Sequence, residues 1–405
     1  MPTIAYLANQ FPSPTEPYVG EEIDELRQRG AQVIAGSVRR PGTEALATSG
    51  KSGVEILCLQ PIRPLVFGKA LGLIFRRWGR ISGFAKRALL EGKESPVRRI
   101  KAILHTWLGA YYALLLRDCE VDHIHVHHGY FASWIGMVAA SLLDIGFSLT
   151  LHGSDLLIHD AYLDTKLNNC RFCATISNYN RSYILGRFPG AHGQNIMVSR
   201  MGVDAQPEMH FGRMSHGRAF TLLSAGRLHR VKNQAFLVRA CALMRDAGVE
   251  LECLIAGAGP EHAHLDFLIA QNQLEDRVHL LGQVPHSDLD SLYRSADLFV
   301  LTSISEGIPL VLMEAMVRGT VVLAPDLTGI PELVIPGKTG FLYKPSDLRD
   351  FVQKVLFLQH LMQGRRQLLD RLNWIRHAGR VQVGRNFNRR ETLDHFGETF
   401  LRMIG

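Results

Sequence analysis

The sequence predicts an α/β protein made of two doubly wound parallel-sheet domains. Three observations predict it. Short β-rich apolar runs alternate with stretches of helical period. The series runs through the first half of the chain and begins again in the second. Between the halves lies MGVDAQPEMHFGRMSHG (201–217), which is polar, glycine-containing and without period. Strands that alternate with helices pair in parallel through crossovers, so each series closes its own sheet. The expected division is 1–203 and 204–385, with a helix at 386–405 packing back on the first domain.

In the first half the expected strands are 3–8, 31–38, 54–59, 122–127, 147–152, 173–177 and 195–200. EEIDELRQRG reads as a helix stopped by Gly30. In the second half they are 219–226, 249–257, 277–282, 297–303, 319–324 and 340–343, with helices at 233–247, 260–272, 286–295, 309–318 and 347–363. RRETLDHFGETFLRMI at the end of the chain reads as an amphipathic helix. Two such domains are expected to bring the carboxyl ends of their sheets to one cleft, and open α/β sheets bind ligands in the loops after their strands.

The 405 residues hold ample core, with 46% apolar and 20% charged side chains. No secretory signal is read at MPTIAYLANQFP, and no apolar run approaches a membrane span. The six scattered cysteines, Cys170-Arg-Phe-Cys173 included, complete no zinc pattern and read as free thiols in a reducing compartment. Segment 61–117 carries 12 basic residues and only Glu91 and Glu94 against them, +10 in a chain of +7, so the remainder sums to −3. Phe75, Trp78, Phe84 and Trp107 are interleaved with these charges. That pattern fits an anionic membrane surface or a solvated helical face; no nucleic-acid motif accompanies it.

The loops after strands hold the candidate chemistry. Gly226-Arg227-Leu-His-Arg-Val-Lys232 offers two cations near a helix start, either a phosphate trap or surface charge. Gly257 and Gly259 allow close backbone approach, but His262 stands where a dinucleotide fingerprint needs glycine, so the plainer reading is a tight βα turn. The backbone at Val284 could meet a base edge. SEGIPLVLMEAM (305–316) places Glu306 before a helix and Glu314 over a turn beyond it. Pro309 suits the first helical turn, and Gly307 and Ile308 would present N–H groups to a diphosphate. The two acids are too far apart to share one atom, so they read as grips on different hydroxyls of an extended ligand. Glu314 sits among apolar neighbours, where a carboxylate usually has a partner. His152, after a strand, is either a structural histidine or a hydrogen-bonding acid/base. His123, His125 and His127 share a strand face next to His128, with no acid or cysteine placed by sequence to complete a metal site.

SEGIPLVLMEAM, with its Glu-x7-Glu spacing, resembles the signature of retaining glycosyltransferases of family 4, which have the GT-B fold of two Rossmann-like domains. SAGRLHRVKN resembles that family's phosphate-binding turn, TGIPELVIPGKTGFLYKPSD the stretch after the signature, and MGVD its interdomain NGVD. HIHVHHGYFASWIGMVAA, SLTLHGSDLL, ATISNYNRSYI and the opening FPSPTEPYVGEEIDELRQRG resemble members that build bacterial exopolysaccharides. The resemblance implies a metal-independent hexosyltransferase using a nucleoside-diphosphate sugar such as a UDP- or GDP-sugar. Arg227 and Lys232 would hold the diphosphate and Glu306 the transferred sugar. Gly226, Gly257, Val284, Gly307, Ile308, Pro309 and Leu310 would line the donor, Glu314 would take the ribose, and His152 would face the sugar. Glu16 and Asp155 are the candidate acceptor-binding acids. The acceptor would be a glycan or lipid-linked saccharide met at the inner face of the cytoplasmic membrane. The loop after the first strand departs from the family, with Ala8-Asn9-Gln10-Phe11-Pro12 where many members carry a glycine pair. Two other readings of the same fold are a nucleotide-sugar epimerase, for which no acid/base pair is found, and a non-catalytic nucleotide-sugar sensor.

Overall fold

The structure is a computed structural model; it describes residues 1–13, 16–42, 56–91, 94–204, 219–363 and 366–405, the His286 side chain aside. The chain divides into two units, Met1–Arg200 with Leu393–Gly405, and Met201–Thr392. The returning segment thus begins at Leu393, inside the last helix, and the second unit starts at Met201. Most of the expected junction and the start of the strand expected at 54–59 lie outside the described residues.

The first unit holds seven strands: β1 (Thr3–Gln10), β2 (Gln32–Arg39), β3 (Ile56–Cys58), β4 (His123–His127), β5 (Gly146–Leu151), β6 (Phe172–Thr175) and β7 (Ile196–Val198). They pair in parallel in the order β3-β2-β1-β4-β5-β6-β7. The chain reverses its direction of progress between β1 and β4, which is the topological switch point where open sheets take ligands. The helix Phe131–Leu143 is apolar all round and almost entirely buried. Gly136 lets it sit on the sheet, since a Cβ there would collide with Val126, and Gly109 lets the helix Pro96–Leu116 approach it, a Cβ there falling 2.7 Å from Val138 Cβ. On the other face Phe396 and Phe400 of the last helix pack among Ile4, Tyr6 and Phe172. Arg29 ties that helix to the first one through Glu25 and Asp394.

The basic segment forms three helices, Pro64–Arg76, Trp78–Leu89 and Pro96–Leu116. The first two bury only a narrow stripe, whereas the third is buried all round at Gly109–Ala113. Leu65, Phe75, Leu90, Val97 and Ile100 are largely exposed. Lys93 lies outside the described residues.

The second unit holds β8 (Phe220–Ala225), β9 (Leu251–Ala256), β10 (Val278–Gly282), β11 (Leu298–Val300), β12 (Val321–Pro325) and β13 (Phe341–Tyr343). The order is β10-β9-β8-β11-β12-β13, all parallel, with the switch between β8 and β11. The strands are near-continuous apolar runs because helices cover both faces. A 21-residue helix, Arg366–Asn386, has no counterpart in the sequence reading. Its glycines and polar stretches blur the helical period. Gly379 is there for packing: a Cβ would lie 2.9 Å from the Thr339 carbonyl oxygen. The six cysteines are free thiols.

Candidate functional site

In the second unit the polar residues follow the two strands at the switch point. β8 ends at Ala225, and the chain turns through Gly226, whose φ of 149° suits glycine. The next turn, after β9, comes so close that a Cβ on Gly257 would strike the Gly226 carbonyl, and one on Gly259 that of Leu228. Gly226 N–H donates to Ala256 (2.9 Å) and Gly257 N–H to Gly282 (2.7 Å). These close approaches and hydrogen bonds stitch three βα turns together. Arg227 is fixed through its carbonyl, which accepts from Gln234 Nε2 at 3.2 Å.

Lys232 lies just before the helix Gln234–Asp246. Its Nζ donates to Glu306 Oε1 at 2.5 Å, joining the loop after β8 to the loop after β11 across 74 residues. Backbone holds both ends. Thr302 Oγ1 donates to the Lys232 carbonyl (3.0 Å), Ile304 N–H to that of Val231 (2.9 Å), and Thr328 Oγ1 to that of Glu306 (2.6 Å). Both side chains keep some exposure, 30% for Lys232 and 12% for Glu306. The helix after them runs Leu310–Val317, so Pro309 is its cap residue rather than its first turn. The Ile308 side chain is in the core. Val284 is likewise packed against core. Glu314 has the partner its apolar setting demands. Tyr293 OH donates to Glu314 Oε2 at 2.9 Å, and Tyr293 is itself fully buried under the Arg318 guanidinium.

In the first unit a histidine–carboxylate network follows β1, β4 and β5. Tyr6 OH and His127 Nε2 both reach Glu22 Oε2, the latter at 2.7 Å. A carboxylate only accepts, so His127 donates from Nε2 and its Nδ1 faces His152 Nε2 at 3.0 Å. The assignment in which His127 Nδ1 accepts from His152 Nε2 leaves His152 Nδ1 as an acceptor. Burial, and then the charge of His128, pushes its protonation well below the ordinary range. Tyr18 lies beside the His152 ring, centroids 5.0 Å apart, and Asn180 Nδ2 donates to the His152 carbonyl (2.6 Å).

A second branch centres on His128, whose Nε2 is 3.0 Å from Glu16 Oε1 and whose Nδ1 is 3.4 Å from Asp155 Oδ2. Burial opposes its charge, but the two carboxylates outweigh burial and raise its protonation to about 10. Glu16 responds in kind: burial pushes its carboxyl up, and the hydrogen bond and charge of His128 bring it below the usual range. Asp155 is fully buried and accepts the N–H groups of Gly129 (2.9 Å), His152 (3.1 Å) and Gly153 (2.9 Å). With its oxygens so engaged it cannot grip an acceptor as expected; it holds the His152 loop. Glu16 remains half-exposed beside it.

The expectation that no acid stands near the histidines is therefore corrected. Glu22 is 105 residues from His127 and Glu16 is 112 from His128, separations invisible to local spacing. One signal existed for Glu22. It sits with Val19, Ile23 and Leu26 on the buried stripe of its helix, where a carboxylate needs a partner. His123 and His125 are core residues bonded to Ser148 and Thr150, and burial holds both neutral. Nitrogens of His127, His128 and His152 lie within 4.8 Å of one another, a spacing a metal could use, yet here both His127 nitrogens and His128 Nε2 have hydrogen-bond partners. Lys166, also missed, is buried and donates to the carbonyls of Gly129 (2.6 Å), Tyr130 (3.2 Å) and Ala161 (3.0 Å).

Residues 206–370 match the family described as glycosyl transferases group 1. The chain is 33% identical over 205 residues to the putative colanic acid biosynthesis glycosyltransferase WcaL of Salmonella typhimurium, covering 49% of each. It is 30% identical over 220 residues to the amylovoran biosynthesis glycosyltransferase AmsK of Erwinia amylovora, covering 53% of this chain and 52% of that one. The matches thus span about half the length of these curated relatives. Among solved structures, Anabaena HepE in complex with UDP aligns over 99% of this chain and 100% of its own, with a TM-score of 0.69 at 18% identity. The fold is that of the GT-B glycosyltransferases.

Proposed function

We propose that the chain is a retaining glycosyltransferase that moves a hexose from a nucleoside-diphosphate sugar to a glycan or lipid-linked acceptor in exopolysaccharide assembly. The observation that carries this reading is the Lys232–Glu306 pair, which joins the loops after β8 and β11 at the switch point of the second sheet. A cation and a carboxylate held side by side suit a ligand that is anionic at one end and hydroxyl-rich at the other. The diphosphate draws on Lys232, Arg227 and the N-terminus of the helix Leu310–Val317. Glu306 accepts from sugar hydroxyls, and Glu314, oriented by Tyr293, accepts from the ribose.

In the reaction the bond between the anomeric carbon and the diphosphate oxygen breaks. The electron pair leaves with the phosphate, where fixed cations and N–H dipoles stabilise it. The acceptor oxygen forms its new bond on the same face, and its proton passes to the departing phosphate. Carboxylate and carbonyl dipoles favour the oxocarbenium-like centre between these events. His152, with Nδ1 presented as an acceptor, serves a hydroxyl of the transferred sugar. Glu16 is the group assigned to the acceptor. No step calls for a metal ion. No described helix is long and apolar enough to cross a membrane, and we assign contact with an anionic membrane surface to the basic helices of 61–117.

The test is incubation with UDP-, GDP- and ADP-sugars, with and without acceptor extract. Release of nucleoside diphosphate with a new glycoside supports transfer. A new sugar isomer assigns an epimerase, and binding without turnover assigns a sensor; either outcome overturns the proposal.

A further inference from the structure

A groove of 440 Å³ opens between the helices Pro64–Arg76 and Pro96–Leu116 and the end of the helix Phe131–Leu143. Four cations line it, Lys69, Arg76, Arg77 and Arg117, and no acid does. Its floor is apolar, formed by Leu73, Leu114 and Leu143. Gly68 and Gly72, one turn apart, create the space, for a Cβ on either would meet nothing within 4 Å. Among the described residues the side chains of Lys69, Arg76 and Arg117 have no hydrogen-bond or ion-pair partner. Arg77 is anchored, its Nη1 donating to the Leu142 carbonyl at 2.6 Å. Asp144, two residues further on, is held by Arg80 (Nη2–Oδ2 2.7 Å).

Leu65, Lys69, Gly72 and Arg76 follow one another at helical spacing, so they form one row along the groove side of their helix. Leu65 at the head of that row is 83% exposed, and Phe75, in the last turn of the same helix, 71%. Exposed apolar side chains flanking a cationic pocket with an apolar floor match a headgroup with a phosphate outside and hydrocarbon behind it. A free phosphate would have no use for the floor. Single-stranded nucleic acid would need aromatic platforms, and no aromatic residue lines the groove.

We infer that this groove is a binding site for the phosphate of an anionic phospholipid, seated while Leu65 and Phe75 enter the bilayer surface. This sharpens the membrane contact proposed above and rests on it, but it needs neither donor nor acceptor. It differs from diffuse attraction in one respect that can be measured. Diffuse attraction depends on charge alone, at about fivefold in partitioning per Lys or Arg near the surface, whereas a seated headgroup also needs the empty volume over Gly72.

The experiment is co-sedimentation of the full chain with phosphatidylglycerol or phosphatidylcholine vesicles at low salt. Wild type is expected to bind the anionic vesicles and to ignore the zwitterionic ones. Gly72→Leu fills the groove without altering charge, and leucine favours the helix; binding is expected to fall roughly tenfold or more, beyond the loss from one removed charge. Gly68→Leu, from the same helix face, is expected to behave alike, and far-UV circular dichroism checks both folds. Wild-type binding with unaltered Gly72→Leu and Gly68→Leu overturns the groove and leaves the membrane contact standing. No binding by wild type overturns both. Thermal stabilisation by millimolar inorganic phosphate equal to that by a short-chain phosphatidylglycerol assigns the groove to free phosphate and overturns the lipid site.

Discussion

Replacing His128 by asparagine tests the electrostatics of the first unit. His128 adopts φ 70°, a left-handed conformation that asparagine tolerates, so the exchange removes the imidazole without straining the backbone. It leaves Glu16 half-exposed and Asp155 buried without their cation. The His128 protonation is raised from 6.5 to about 10 by these two carboxylates against the pull of burial. A group raised on folding adds stability that is fully present below its unfolded value and lost as pH climbs through its folded one. The window is therefore pH 6.5 to 10, and across it the wild type should lose about 1.4 kcal/mol per pH unit from this group. Breaking a buried pair of this kind costs about 3–5 kcal/mol, the same order as the linkage. The assay is urea unfolding followed by tryptophan fluorescence. Trp78, Trp107 and Trp134 lie in the first unit and only Trp374 in the second, so the signal reports chiefly on the unit in question. At pH 6 the variant should be less stable by about 3–5 kcal/mol, and near pH 10 by less than about 1 kcal/mol. A deficit that is the same at both pH values would refute a charged His128 held between Glu16 and Asp155.

Two further substitutions probe links elsewhere. Glu22→Gln keeps the shape of the carboxylate but replaces the anion shared by Tyr6 and His127 with a neutral amide, so the chain from His127 to His152 is held less firmly; kcat should fall about tenfold or more, since hydrogen bonds to charged groups are worth about 1.5–3 kcal/mol, with donor KM little changed and the pH–rate profile shifted. An unchanged profile would mean the chain from Glu22 to His152 is merely structural. Gly109→Ala places a Cβ 2.7 Å from Val138 Cβ and 2.9 Å from the Ile135 carbonyl oxygen, and should destabilise by about 1–3 kcal/mol through overpacking, while Gly79→Ala, with nothing within 4 Å, should not; equal melting temperatures for the two variants would contradict the close helix packing described here.

The strands were legible because buried parallel strands announce themselves as short apolar runs between turn residues, and all thirteen appear within a few residues of expectation. Helix Arg366–Asn386 was not, because glycines and polar stretches interrupt its period, and the packing reason for Gly379 is visible only in the fold. The same division holds for the site. Glu306 and Lys232 could be singled out because each follows a strand, where a local rule applies. Their direct contact could not, being a matter of which strands neighbour each other. Glu22 and Glu16 against the histidines were hidden for the same reason: each pair joins elements far apart in sequence. Asp155 illustrates the opposite error, a polar residue in a promising loop whose oxygens are used by that loop's own N–H groups and by Gly129 of the loop after β4.

We propose that Glu306 acts on the transferred sugar while the cations beside it hold the diphosphate. Nucleoside-diphosphate release by Glu306→Gln, measured beside its affinity for the free nucleoside diphosphate, tests it most directly. The expected result is affinity within a few-fold of wild type and turnover lower by about a hundredfold or more, the scale on which a preorganised polar contact made in the transition state matters. A Glu306→Gln enzyme that turns over like wild type would contradict the account.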